Sequence, residues 1–190
     1  MALRRGFKAE AERIAAELRV QLGVGEADAV DIWDVAALLE VSIVQADSLV
    51  EMERLEEIER IQAFAFSACT FIIGDARYIV VNPLRTPARQ VSDIAHELSH
   101  ELLHHELSEI REIDGVPFRT CDTTQEEEAT HLGGTILLPR PLLLAEARLD
   151  ASPDDIAEKY GVTPEMASFR FNTTAVGRQV AAARSKRRQG

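Results

Sequence analysis

The sequence predicts an α+β fold, mainly helical, with a small antiparallel sheet of about three strands ahead of a central helix. Three observations lead there. Apolar residues recur at helical spacing in the N-terminal segment and again beyond Pro87. Between Gln62 and Asn82, β-branched and aromatic residues gather around Gly74-Asp75, a hairpin pair. The 190 residues are 46% hydrophobic and 28% charged, which suits one core with at most a small appendage.

The elements follow in order. Phe7, Ala11, Ile14, Ala15, Leu18 and Leu22 form one helical stripe that Gly23 stops. A short helix fits Asp31 to Leu39, with Val35, Leu38 and Leu39 inward. Val41 to Val44 reads as a strand. Glu51 to Arg60 is charged, and fits a helix or a solvated loop. The runs IQAFAF, CTFIIG and ARYIVVN read as the three strands of the sheet, closed by Pro83 and Pro87. A helix is expected from about Ala88 to His105. Asp114-Gly115 and Pro117 make the next segment a loop. Another helix starts near Thr123 or Thr124, with Glu126, Glu127 and Glu128 in its first turn, where acids suit the helix dipole. Pro139 and Pro141 interrupt it. Ser152-Pro153 and Thr163-Pro164 each pair an N-cap with a first-turn proline, so two short helices close the pattern. The expected division is a main domain over 1–148, a helix-turn-helix-like segment packed on it over 149–178, and a basic, flexible tail over 179–190.

Charge excludes some functions. The net charge of −11 repels phosphate backbones, so non-specific nucleic-acid binding is not expected. In the helix-turn-helix-like segment the second helix offers Glu165, Ser168, Arg170 and Asn172, a poor set for reading bases. Packing or substrate docking suits that segment better. Two cysteines, Cys69 and Cys121, make no CxxC pair and no disulfide framework. The first twenty residues lack the apolar run of a signal peptide, and no stretch of about twenty apolar residues occurs. The expected location is the cytoplasm.

Four of the five histidines lie within IAHELSHELLHH, Ile94 to His105. His96-Glu97-Leu98-Ser99-His100 is an HExxH sequence. On a helix, residues four apart share a face, and their imidazoles can converge on one ion about 2.0–2.1 Å from each nitrogen. Glu97 lies about 100° round the helix from His96 and about 60° from His100. It flanks the ion without binding it, where a base for an attacking water belongs. Ile94, Ala95, Leu98, Leu102 and Leu103 make the helix a buried one. Two core histidines beside a surface glutamate are the bland alternative, but buried imidazoles need partners and a metal is a good one.

A catalytic zinc keeps three protein ligands. His104 lies about 12 Å further along the axis than His96, too far to share the ion. With His105 it reads as a helix-end residue near the negative pole of the dipole. The downstream helix is the better source. Glu126, Ala129, Thr130 and Gly133 share one stripe, and its small residues allow close approach to the HExxH helix. That stripe presents Glu126 to the metal, with Glu128 as the reserve ligand. Zn2+ is the expected ion, and Mn2+ and Fe2+ also suit such a set. A second oxyanion donor is expected but the sequence does not identify it; His131, Tyr78 and Arg77 could serve, and a structural or exposed role suits each of them better. Cys121, five residues before Glu126, is a candidate redox or inhibitory group, although a lone loop cysteine is usually neither.

With these residues in view, IAHELSHELLHH followed by EEEATHLGGTILLP resembles the ImmA/IrrE metallo-endopeptidase family. The family pattern is an AHELGH-type helix, then an ExxANxFAxxLLMP-type helix about thirty residues on. The resemblance extends weakly over residues 7 to 175. It implies a zincin-like domain of gluzincin type, with His96, His100 and Glu126 as zinc ligands and Glu97 as catalytic base. It also implies a protein substrate, a helix-turn-helix (XRE-type) repressor or an antitoxin, whose cleavage derepresses mobile-element or stress-response genes. Ser99 replaces the usual glycine, Thr130 stands for Asn or Asp, and Gly133-Gly134 replaces two alanines. The competing reading is a protein-binding module of the same fold with no peptidase activity.

Overall fold

In a computed structural model of the chain, residues 3–63, 65–105, 110–113, 116–119 and 122–189 are described. Helix α1, Phe7–Leu22, buries Phe7, Ala11, Ala15 and Leu18 and ends on Gly23 at φ 67°, as its apolar spacing predicts. Helix α2, Ile32–Leu38, is capped by the Asp31 carboxylate, which accepts from the Trp33 N–H. Strand β1, Val41–Gln45, follows, then helix α3, Met52–Ile61.

The α+β class holds, but the sheet is built differently from the expectation. Strands β2, Ala68–Ile73, and β3, Ala76–Val81, form the antiparallel hairpin around Gly74, which takes φ 62°. The third strand is β1, not IQAFAF. It pairs in parallel with β3, so the order is β1-β3-β2 and the sheet is mixed. IQAFAF fails as a strand because its end is held by side chains. The Phe66 carbonyl accepts from Asn82 Nδ2 at 2.8 Å and from Arg85 Nη2 at 2.9 Å. Ile61 is the last residue of α3.

Helix α4, Pro87–Leu102, carries the HExxH sequence. Thr86 caps it by accepting from the Arg89 N–H, and Pro87 occupies its first turn. It ends at Leu102, three residues short of the expected His105. The segment expected to be a loop contains a two-stranded ribbon, β4, Ile110–Ile113, with β5, Val116–Arg119. Helix α5, Thr123–Leu137, starts on Asp122, whose carboxylate accepts from the N–H groups of Thr124 and Gln125. Helices α6, Arg140–Arg148, α7, Pro153–Tyr160, and α8, Pro164–Thr174, complete the expected pattern, with a capping box between Ser152 and Asp155. The basic segment read as a flexible tail is helical through Gln189, in α9, Val176–Gln189. Arg184 there donates to the Arg148 carbonyl and pairs with Asp150.

The core joins all these layers. Phe7 and Ala11 of α1, Ile94 and Leu98 of α4, Leu132 and Ile136 of α5 and Leu142 of α6 are fully buried in one cluster. Two buried arginines fix the end of α5, where helix carbonyls lack partners. Arg19 of α1 donates to the Ile136 carbonyl at 2.8 Å, and burial pushes its pKa down to about 10. Arg170 of α8 donates to the Leu138 carbonyl and pairs with Glu12 of α1 at 2.7 Å. The end of α5 is thus braced from behind. Among the described residues, no helix is long and apolar enough to cross a membrane.

Candidate metal centre

α4 and α5 lie against each other along the stripe of small residues. A Cβ added to Gly133 would stand 3.0 Å from the Ala95 carbonyl group and 3.1 Å from the His96 nitrogen. The two backbones are therefore in close approach, and a methyl group at that position would force them apart by a few tenths of an ångström. Gly134 faces side chains instead, those of Met166 and Arg170 on α8.

This approach brings His96, His100 and Glu126 together. His96 Nε2 lies 3.1 Å from Glu126 Oε2 and 3.1 Å from His100 Nε2, and His100 Nε2 lies 3.7 Å from Glu126 Oε1. Two ligands of a tetrahedral ion, each about 2.0–2.1 Å from it, stand about 3.3 Å apart. The edges, of which the two to Glu126 run to its two different oxygens, lie around that value, so this donor set is compatible with a small divalent ion. It is the group of three metal-ligating side chains that the described residues offer. Glu128, the reserve ligand, does not join it. It points behind His100, where its Oε2 lies 3.3 Å from His105 Nε2.

Glu97 is buried, 7% exposed, and lines a cleft of about 460 Å³ beside His96 and Glu126. Its Oε2 accepts from the Thr70 hydroxyl at 2.6 Å. β2 thus reaches across to hold the carboxylate of the helix. Thr70 is absent from the sequence expectations, since only tertiary packing brings it to a residue 27 positions on.

Four elements wall the cleft: the start of β2 with Ser67 and Ala68, α4, α5, and α8 with Glu165 and Phe169. Arg89 and Asp93 stand on its α4 side. Burial raises the Asp93 carboxyl above its ordinary range, against the lowering effect of Arg89, whose Nε donates to it at 2.8 Å. The three candidates for oxyanion donor lie elsewhere. Arg77 pairs with Glu101 at 3.2 Å. Tyr78 sits on the central strand β3, and His131 is packed edge-on between Phe7 and Phe169. None of the three is in the lining of this cleft.

His104 is exposed and takes φ 52° just past the helix end. His105, read as a helix-end residue, lies just past the end of α4 and turns inward. Its side chain is 6% exposed, with Nδ1 2.9 Å from His100 Nδ1. Thr130, which stands where the family pattern has Asn or Asp, lies 3.4 Å from His96 Nδ1. Cys121 falls outside the described residues.

Comparisons with known proteins bear on the fold and the family. Among curated proteins, none matches the chain significantly. Among solved structures, a Mycobacterium tuberculosis transcriptional regulator matches with a TM-score of 0.50 and 18% identity, over 89% of this chain and 47% of that one. The chain spans about half of that regulator, and at this identity the likeness shows a shared fold. The Peptidase_M78 model, described as the IrrE N-terminal-like domain, matches residues 57–172, from α3 through both metal-facing helices into α8. The chain belongs to this metallopeptidase family, whose name implies a metal cofactor.

Proposed function

We propose that the chain is a zinc-dependent endopeptidase in which His96, His100 and Glu126 hold the ion and Glu97 is the catalytic base. One observation carries the reading: two imidazoles and a carboxylate converge with ligand atoms within 4.8 Å of one another, beside a buried glutamate that is not one of them. A structural site has no use for Glu97. When bound, zinc supplies Lewis acidity, acidifying water and polarising a carbonyl. Glu97 takes the proton of the attacking water and passes it to the leaving amine. Thr70 keeps that carboxylate turned into the cleft by donating to Oε2.

The substrate is a protein segment in extended conformation. β2 lies at the edge of its sheet, its first residues line the cleft, and Phe71, Ile72 and Ile73 are exposed along it. A peptide pairing with that edge by β-augmentation passes the metal centre. In this reading the partner is a cytoplasmic helix-turn-helix repressor or antitoxin, with derepression of mobile-element or stress-response genes as the outcome; the family resemblance supports it.

The test is hydrolysis of an internally quenched peptide library by the zinc-loaded protein. Wild type cuts a subset, and Glu97→Gln keeps the metal but loses at least about 100-fold in rate. Equal cleavage by the variant removes Glu97 as base. Metal binding without any cleavage by wild type turns the reading to a binding module.

A further inference from the structure

The groups behind His100 form a continuous polar chain, buried as far as Glu128 and closed at the surface by Arg4. His100 Nδ1 lies 2.9 Å from His105 Nδ1, His105 Nε2 lies 3.3 Å from Glu128 Oε2, and Arg4 Nε donates to Glu128 Oε1 at 2.8 Å. The His105 and Glu128 side chains are 6% and 9% exposed. Arg4, just ahead of α1, is also anchored by Glu10 at 2.7 Å and lies over the Phe7 ring.

Resting on the metal centre proposed above, we infer that His105 and Glu128 are positioning residues for the ligand His100. Metal demand assigns every proton in the chain. A ligating Nε2 must be unprotonated, so His100 carries its hydrogen on Nδ1 and donates it to His105 Nδ1. His105 Nδ1 is then an acceptor, so its hydrogen sits on Nε2 and is donated to the Glu128 carboxylate. Glu128 accepts from His105 and Arg4 together. One arrangement satisfies all four groups, and it is the one that leaves the His100 lone pair aimed at the ion. Partners of this kind fix the tautomer and ring orientation of a ligand and raise its basicity. At His96 the hydrogen-bond partner among the described residues other than the ligand set is the Thr130 oxygen, 3.4 Å from Nδ1 and on an exposed residue, while the Asp93 carboxylate acts on the ring through its charge.

The experiment measures Zn2+ affinity by competition with a chromogenic chelator, and the visible spectrum of the Co2+-substituted protein. The variants are His105→Phe, His105→Asn and Glu128→Gln, with apo-protein melting recorded for each. His105→Phe fills the space without an acceptor and is expected to weaken Zn2+ binding about 10–100-fold and to shift the Co2+ bands. His105→Asn places an amide oxygen near the lost Nδ1 and is expected to recover most of the affinity. Glu128→Gln is expected to weaken binding by an intermediate factor while the apo protein stays folded. If His105→Phe binds within twofold of wild type with unchanged Co2+ bands, the positioning role is wrong. Equal losses in His105→Phe and His105→Asn also overturn it, since packing alone would then be at stake. If His105→Phe does not fold, Glu128→Gln decides: wild-type affinity and bands overturn the role. Absence of metal binding by wild type itself overturns the metal centre first, an outcome distinct from all of these.

Discussion

His96 and His100 stand one turn apart on α4, yet the protein surrounds them differently. The wall behind His100 is closed and polar in a directed way, with His105 and Glu128 buried and Arg4 as the outer anchor. The wall at His96 is backbone. Gly133 presses on the Ala95–His96 peptide, the cleft opens beside it, and Thr130 stands at the limit of hydrogen-bond distance. One ligand is oriented by hydrogen bonds, the other by steric contact with a helix. Under the proposed function, substrate enters on the second side, where the cleft opens.

Gly133→Ala attacks the steric wall. The new methyl meets backbone, which cannot swing away, so the cost is expected at the upper end of overpacking, about 3 kcal/mol. Chemical denaturation measures it, and metal affinity should fall as His96 moves. Gly134→Ala meets side chains of α8, Met166 Sδ at 2.7 Å and Arg170 Cδ at 2.9 Å, which can shift where backbone cannot. Both variants gain about 1 kcal/mol of helix propensity, so the smaller loss expected here rests on that side-chain give. Equal losses at the two glycines would break the contrast between backbone and side-chain contact.

His131 sharpens the comparison from another direction. It is buried like His105 but packed between aromatic rings, and burial lowers its pKa to about 4, assisted by Arg170 and Lys8. The folded protein therefore holds it neutral. Its stabilising contribution is complete above the unfolded value of about 6.5 and is lost as pH falls toward 4, because the unfolded chain takes up the proton first. The apo protein should lose roughly 2 kcal/mol between pH 7 and 5 from this group, within the precision of the shift. The difference between wild type and His131→Leu in denaturant midpoints across that range isolates it.

Thr70→Val removes the hydroxyl that holds Glu97. Peptide hydrolysis should fall about tenfold, near the 1.4 kcal/mol that one charge-assisted hydrogen bond is worth, while zinc affinity stays unchanged. Steady-state kinetics beside chelator competition separates the two. The smallest effect is expected for Thr130→Val, less than about threefold in zinc affinity, because a contact of 3.4 Å on an exposed residue contributes little. A loss matching that of His105→Phe would put directed support on both sides and end the asymmetry.

The steric half of this centre was legible in the sequence, and the hydrogen-bonded half was not. HExxH spacing and the Glu126, Ala129, Thr130, Gly133 stripe are local periodicities, so helix geometry alone brings the ligands to one face. The partners of His100 come from a helix-end residue, from the next acidic turn and from position 4, and no period links them. His105 was misjudged because the helix ends at Leu102, and the turn that follows folds it inward. The parallel pairing of β1 with β3 was hidden for the same reason. Its residues lie about 36 positions apart, while the adjacent IQAFAF alternates convincingly but has its end carbonyl taken by Asn82 and Arg85.

Anomalous diffraction at the zinc edge, from crystals of the zinc-loaded protein, addresses the metal centre most directly. One peak is expected about 2.0–2.2 Å from His96 Nε2, His100 Nε2 and a Glu126 carboxylate oxygen, with Glu97 beside it and not bound. A peak ligated by Glu128 or a cysteine, or no peak between α4 and α5, would contradict the three-ligand centre and the peptidase reading built on it.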